Sequence, residues 1–229
     1  MRVLALDAAT EACSVALLVD AELIGRFEPT SRGHSERLLD MVDEVLAQGQ
    51  ITLSALDGIA ASIGPGSFTG VRITVAAAQG LAFGAGLGVA AVSTLEALAL
   101  QVLQGAEDRA LACLDARMAE VYWGAFAWDA TRGLTATTPP RVGTPHSVSL
   151  PVAAPHRGIG RGFAAYPELE ALAGVTLRPG DAQALPNARE IAALGARRFA
   201  LGEGTDPAGL VPQYLRDKVA LTEAERGRS

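Results

Sequence analysis

Ala61-Ser-Ile-Gly-Pro-Gly-Ser-Phe-Thr-Gly-Val-Arg-Ile73 joins an apolar run to a long helix-compatible one through a turn of small residues, Gly64-Pro65-Gly66-Ser67. From Gly58 to Leu95 the only charged residue is Arg72. A helix without a charged face is normally buried all round. In a chain of 229 residues, this asks what covers its second side, and a partner is the expected answer. The turn itself reads in two ways. Its free N–H groups, at the start of a helix, suit an anion. Equally, its glycines suit a tight strand-to-helix passage, with Ser67 or Thr69 as N-cap. It is not a Walker loop, because Lys218 is the only lysine in the chain.

Working outward, Ile59–Ile63 reads as a buried strand and Thr69–Phe83 as the helix after it. Gly84, Gly86 and Gly88 are expected to end that helix early. Upstream, Arg2–Asp7, Cys13–Val19 and Glu22–Glu28 form a three-stranded meander. Ser35–Gln48 is a helix, with Leu38, Met41, Val42 and Val45 on one stripe, widened by Leu39 and Leu46. Downstream, Gly88–Val92 is a strand. Ser93, with Glu96 three residues on, opens a helix through Leu103 as a capping box. The order β-β-β-α-β-α-β-α implies a mixed sheet covered on both faces.

The pattern then starts again. Ala110-Leu-Ala-Cys-Leu-Asp115-Ala-Arg-Met-Ala-Glu120 parallels Val3-Leu-Ala-Leu-Asp7-Ala-Ala-Thr-Glu11, and each is followed by an alternating strand. Two copies of one supersecondary unit follow from this, with a boundary near Gly105–Asp108. They divide the chain into an N-terminal unit, 1–106, and a smaller C-terminal unit with its tail, 107–229. Prolines 139, 140, 145, 151 and 155 are expected to break any long element in the second copy. Ala188–Leu201 is a further helix.

Composition narrows the function. The formal net charge is −6, with no basic run, so direct nucleic-acid binding is not expected. The arginines near the C-terminus alternate with acids and read as solvated surface. Cys13 and Cys113 sit in separate apolar runs and read as reduced core thiols. Asp7 and Glu11 interrupt the N-terminal apolar run, against a signal peptide. Thr74–Val92 approaches the roughly 20 apolar residues of a membrane span, but its glycines argue against one.

No motif completes a catalytic set. Asp7-Ala-Ala-Thr10 and Asp115-Ala-Arg-Met118 occupy the places where a duplicated phosphotransferase holds a metal-bound triphosphate. Ala9 replaces a useful glycine there, and Arg117-Met118 add bulk. His34 lacks a second histidine one turn on, where Leu38 stands, so no metal site is expected. Ser67 is not in a nucleophile elbow. Gly158-Ile-Gly160-Arg-Gly162 reads as a turn rather than a dinucleotide loop, because no flanking strand and helix are evident.

These residues together resemble the TsaB (YeaZ) family, the dimerisation subunit of the bacterial system that makes N6-threonylcarbamoyladenosine in tRNA. The resemblance is carried by Leu6-Asp-Ala-Ala-Thr-Glu11, Gly33-His-Ser-Glu-Arg-Leu-Leu39, the Gly64–Ile73 block, Val92-Ser-Thr-Leu-Glu96, Asp115-Ala-Arg-Met-Ala-Glu-Val-Tyr122 and Pro212-Gln-Tyr-Leu-Arg216. It is continuous over the first half and thin between Trp128 and Pro212. It implies an α/β fold of the actin-like/hsp70-like (ASKHA, ribonuclease H-like) kind, duplicated into two mixed-sheet subdomains. It further implies a cytoplasmic, non-catalytic scaffold that binds TsaD and, with it, TsaE. Alone, such a chain would form a homodimer, without membrane or direct nucleic-acid contact. No intrinsic cofactor is implied, and ATP or ADP would enter only in the assembled complex. By the resemblance, the partner meets the first two helices. Leu38, Leu39, Met41, Val42 and Val45 offer one ridge, and Val75, Ala76, Ala78, Gln79 and Ala82 a flat surface. Which of these face the partner and which the core is open at this point. Asp7, Thr10, Gly64, Gly66 and Ser67 would mark vestigial nucleotide loops. The alternative is an independent ATP-dependent kinase or acyl-transferase of the same fold.

Overall fold

Strand β1 (Arg2–Asp7) lies at the centre of the first sheet and alternates its side chains between two cores. Leu4 and Leu6 face one way, toward α1 (His34–Gly49) and α2 (Phe68–Ala85). Val3 and Ala5 face the other, toward α5 (Ala188–Ala200). The computed structural model describes residues 1–29, 34–103, 105, 108–131, 133–150 and 154–216, without the side chains of residues 34 and 35. The motif around Gly33-His34-Ser35 therefore lies largely outside the described residues.

Antiparallel partners β2 (Ala12–Val19) and β3 (Glu22–Pro29) extend β1 on one side. Parallel strands β4 (Gly58–Ser62) and β5 (Val89–Val92) extend it on the other, giving the order β3-β2-β1-β4-β5. Helix α3 (Thr94–Leu100) follows β5. The Glu96 carboxylate accepts from the Ser93 backbone N–H at 2.8 Å and also binds Arg198 of α5, so the expected cap ties two helices together.

The second sheet repeats this plan. Strands β6 (Arg109–Arg117), β7 (Glu120–Asp129) and β8 (Gly133–Gly143) form the meander. Strands β9 (His156–Ile159) and β10 (Val175–Thr176) run parallel beside β6. The order β10-β9-β6-β7-β8 is that of the first sheet, strand for strand. The helices differ. Where the first copy has the 16-residue α1 and the 18-residue α2, the second has a short 3-10 turn (Pro145–Ser147) and the four-residue α4 (Gly162–Ala165).

Three sequence expectations change. Pro139 and Pro140 do not break β8, because β8 is an edge strand and they sit where its register with β7 shifts. An edge strand with a bulge does not need the missing N–H. Helix α2 also runs on through Gly84 to Ala85 and ends at Gly86, which adopts φ 67° as its left-handed cap. Third, the stretch assigned to the second unit returns to the first. Helix α5 packs on β1, β2, β4 and β5, and Gly195 lets it approach Ala60 closely, since a Cβ there would lie 2.3 Å from the Ala60 Cβ. Thr205 bridges to Val89 at the free edge of β5. Among the described residues no helix is long and apolar enough to cross a membrane.

Candidate partner-binding face and interlobe cleft

Helices α1 and α2 lie side by side on one face of the first sheet. Of the residues that the resemblance implies for the partner face, whose core and partner sides the sequence leaves open, seven belong to the core. Leu38, Met41, Val42 and Val45 of α1, and Val75, Ala78 and Ala82 of α2, are buried against the sheet. The amphipathic stripe of α1 is satisfied inside the chain, which is why those side chains are unavailable. Gln79 is also committed: its amide donates to the carbonyls of Pro207 and Leu210 and fastens the returning tail along α2. Leu39, 48% exposed, and Ala76 remain on the outer surface.

Residues the sequence reading passed over complete that surface. Ala76, Gly80 and Gly84 succeed one another at intervals of four on the exposed side of α2. A Cβ built at Gly80 or Gly84 meets nothing within 4 Å. Glycine inside a helix costs about 0.5–1 kcal/mol relative to alanine, and among the described residues no contact requires it at either position. Phe83, 82% exposed, stands beside this flat strip. The signal was present in the spacing Ala76-x-x-x-Gly80-x-x-x-Gly84, which the absence of charge obscured. Alongside, α1 exposes Glu36, Asp40 and Asp43.

At the N-terminus of α2, Ser67 accepts from the Gly70 N–H and caps the helix. Arg72 is exposed near the N-terminal end of α2. Its guanidinium stacks 3.6 Å from the Phe68 ring centroid and donates to the Tyr214 hydroxyl at 2.7 Å.

The turn before α2 settles against the β1–β2 loop. The Ser67 N–H donates to the Ala9 carbonyl at 2.7 Å. A Cβ on Gly66 would lie 2.2 Å from the Ala9 carbonyl oxygen, and one on Gly70 2.0 Å from that of Ala8. Gly64 adopts φ 105° and is cis to Pro65. The glycines thus serve backbone-to-backbone packing.

Between the two sheets, these loops border a cleft of about 390 Å³. Asp7 is buried, its carboxylate accepting from the Ser62 hydroxyl and, at 3.2 Å, from the Ala9 N–H. Thr10 lines the cleft, and among the described residues its hydroxyl is buried without a partner. Across from it, Asp115 is held by Arg117 at 2.9 Å and the Tyr166 hydroxyl at 3.0 Å. Glu11 receives Arg117 at 3.3 Å and Arg161 at 3.9 Å. Met118 and Ala119 form the two-residue β6–β7 turn, both with φ 57°, a conformation that favours glycine or asparagine. Arg216 crosses from the first lobe to donate to the Ala116 carbonyl at 3.0 Å and to Glu120. The acids and arginines facing this cleft pair with one another, and the turn donor that would cradle a phosphate is spent on Ala9. These residues do not fit a metal-bound triphosphate.

The same glycine device recurs in the second copy. A Cβ on Gly160 would lie 2.2 Å from the Cys113 carbonyl oxygen, and one on Gly162 2.7 Å from the Cys113 Cβ. The Gly158–Gly162 stretch thus has a preceding strand and a following one-turn helix, which the sequence did not reveal, but its glycines pack on β6. Both thiols are core: burial pushes Cys13 up to about 12 and raises Cys113 further.

Comparison with known proteins extends this picture. The family model described as TsaD, tRNA N6-adenosine threonylcarbamoyltransferase, matches residues 28–143. The Escherichia coli K12 protein named tRNA threonylcarbamoyladenosine biosynthesis protein TsaB is 39% identical, over 96% of each chain. The Haemophilus influenzae protein of that name is 47% identical over 54% of this chain and 52% of its own. The structure of YeaZ from Pseudomonas aeruginosa superposes with a TM-score of 0.85 at 41% identity, covering 93% of this chain and 99% of the other. With its duplicated sheets, its full-length likeness to TsaB and its close superposition on YeaZ, the chain belongs to the TsaB (YeaZ) family.

Proposed function

We propose that this chain serves threonylcarbamoyladenosine biosynthesis in the cytoplasm as a non-catalytic subunit that binds a TsaD-type catalytic partner, with TsaE joining the assembly. The single observation that carries this reading is the outer strip of α2. Gly80 and Gly84 cost helix stability and, among the described residues, make no contact that requires glycine, whereas small residues let a second helix approach closely. Exposed Leu39 and Phe83 supply apolar area beside the strip, each contributing roughly 1.5–3 kcal/mol if fully covered.

The likeness to a TsaD family model over a span that includes both helices supports a partner of that kind. Related chains can pair the same helix face about a pseudo-two-fold axis, and a single chain can pair with itself about a true one. A homodimer of the isolated chain and a heterodimer with TsaD are thus alternative uses of one surface. The acids of α1 favour basic groups at the partner's rim. Nucleotide belongs to the assembled complex on this reading, since the self-paired cleft disfavours the rival reading of a free-standing kinase or acyl-transferase.

Co-purification with the TsaD and TsaE of the same organism, followed by a tRNA modification assay, tests this. Modification that depends on adding this chain, while the chain alone hydrolyses no ATP, is the expected result. Full modification without it, or ATP turnover by the chain alone, would contradict it. Leu39→Arg is expected to weaken association and leave the fold intact, whereas Val42→Arg would disrupt the core.

A further inference from the structure

At the opposite end of the second sheet from the cleft, the starts of β6 and β9 and the residues after β10 enclose a cavity of about 430 Å³. Its charged lining is Arg109, Arg157 and Arg178 against the single acid Asp108. A pocket with three guanidinium groups is unexpected in a chain of net charge −6, and the pairing of these groups is uneven. Arg157 is held by Asp181 through two bonds of 2.8 Å. Asp181 is itself fixed by the Arg178 backbone N–H at 2.8 Å. This pre-orients one arginine without occupying the other two. Among the described residues, the Arg109 and Arg178 side chains form no hydrogen bond and no contact ion pair, the Arg178 charge acting on Asp181 only at longer range, and the Nε of Arg109 is buried without a partner.

His156 lines the same cavity and is 1% exposed. Its Nδ1 donates to the Ala154 carbonyl at 2.8 Å, leaving Nε2 as the acceptor in the neutral ring, and among the described residues Nε2 is buried without a partner. Burial, and after it the nearby Arg109 charge, lower its proton affinity against the opposing effect of the Ala154 hydrogen bond, which favours the neutral ring. The contrast with the interlobe cleft is direct: there the facing charges answer one another, and here cationic donors and a bare ring nitrogen are left over.

We propose that this cavity binds a small anion of the phosphate class, held by Arg109 and Arg178 with Arg157 as a fixed wall. Planar guanidinium groups match phosphate oxygens with paired, charge-assisted hydrogen bonds. The monohydrogen phosphate ion also carries a hydroxyl donor, which suits the unpartnered acceptor on His156. The site is separate from the α1–α2 face and does not depend on the role proposed for it.

Titration calorimetry of the intact chain with inorganic phosphate, at constant ionic strength set by chloride, tests the proposal. A ring-nitrogen NMR signal of His156 that moves with phosphate supplies a second readout. One saturable site is expected below about 10 mM phosphate, and Arg109→Ala and Arg178→Ala should each weaken it about tenfold. Arg141→Ala on the exposed side of β8 should leave it unchanged. Arg178 is exposed, so Arg178→Glu keeps the test available if the Arg109 variant does not fold. Absence of saturation, or binding unaffected at Arg178, would overturn the proposal. So would Arg178-dependent binding of tRNA without binding of inorganic phosphate, which would assign the arginines to a nucleic-acid surface.

Discussion

Gly70 and Gly80 belong to one helix, and the same substitution should act on them with opposite sign. At Gly70 an added methyl meets the Ala8 carbonyl oxygen at 2.0 Å, so Gly70→Ala is expected to destabilise the chain by about 1–3 kcal/mol. At Gly80 it meets nothing, so Gly80→Ala is expected to stabilise the isolated chain by about 0.5–1 kcal/mol. Urea denaturation of the two variants measures both. Sequence alone left the Gly64–Gly70 turn divided between an anion cradle and a packing device. The deciding contacts are with Ala8 and Ala9, some sixty positions away and tied to the turn by a carbonyl rather than a side chain. No local spacing announces such a contact.

At the same scale, Arg37 joins α1 to β3. It donates to Glu28 and to Glu44, and these hydrogen bonds hold both carboxyl groups below the usual range. A carboxylate depressed in the folded state stabilises the fold above its unfolded value, about 4.3 for glutamate, and that contribution is lost as pH falls through the folded value. Arg37→Ala should therefore flatten the acid limb of stability, with its urea midpoint falling less steeply than that of the parent chain below about pH 5.

Among the elements, α1 and α2 show what periodicity can and cannot give. The 3.6-residue stripe of α1 located its buried face, and the structure places Leu38, Met41, Val42 and Val45 under it. The same periodicity could not say that the stripe is consumed by the sheet. In α2 the apolar arc is so wide that no face stands out, and only the packing of Val75, Ala78 and Ala82 inward leaves Ala76, Gly80 and Gly84 outward. Gly84→Leu should leave the helix intact, because its Cβ position is open, and should weaken association with the partner at least about tenfold by holding the two backbones apart. Sedimentation velocity on the variant and the parent reads this directly.

Over the whole molecule, the duplicated sheet order was legible because each copy opens with an apolar strand ending in Leu-Asp-Ala. The return of α5 and the tail to the first lobe was not, since a helix that crosses between lobes carries no mark of its destination. That return has a consequence. The Gln213 N–H donates to the Ile63 carbonyl at 2.7 Å, Tyr214 takes Arg72, and Arg216 reaches the β6–β7 turn. The tail therefore straps the two lobes together. Arg216→Ala should lower stability by about 1–2 kcal/mol and speed amide exchange at residues 117–120, with little change in α1 or α2. Hydrogen-exchange mass spectrometry would show whether the loss is local to that turn.

The central claim is that the small-residue strip of α2 is a partner face. Titration calorimetry of the parent chain and of Gly84→Leu into the TsaD subunit of the same organism tests it most directly. The account predicts tight, saturable binding by the parent chain and at least about tenfold weaker binding by the variant, with the variant's circular dichroism and urea midpoint close to those of the parent. Equal binding by the two chains, or no binding by the parent, would contradict it.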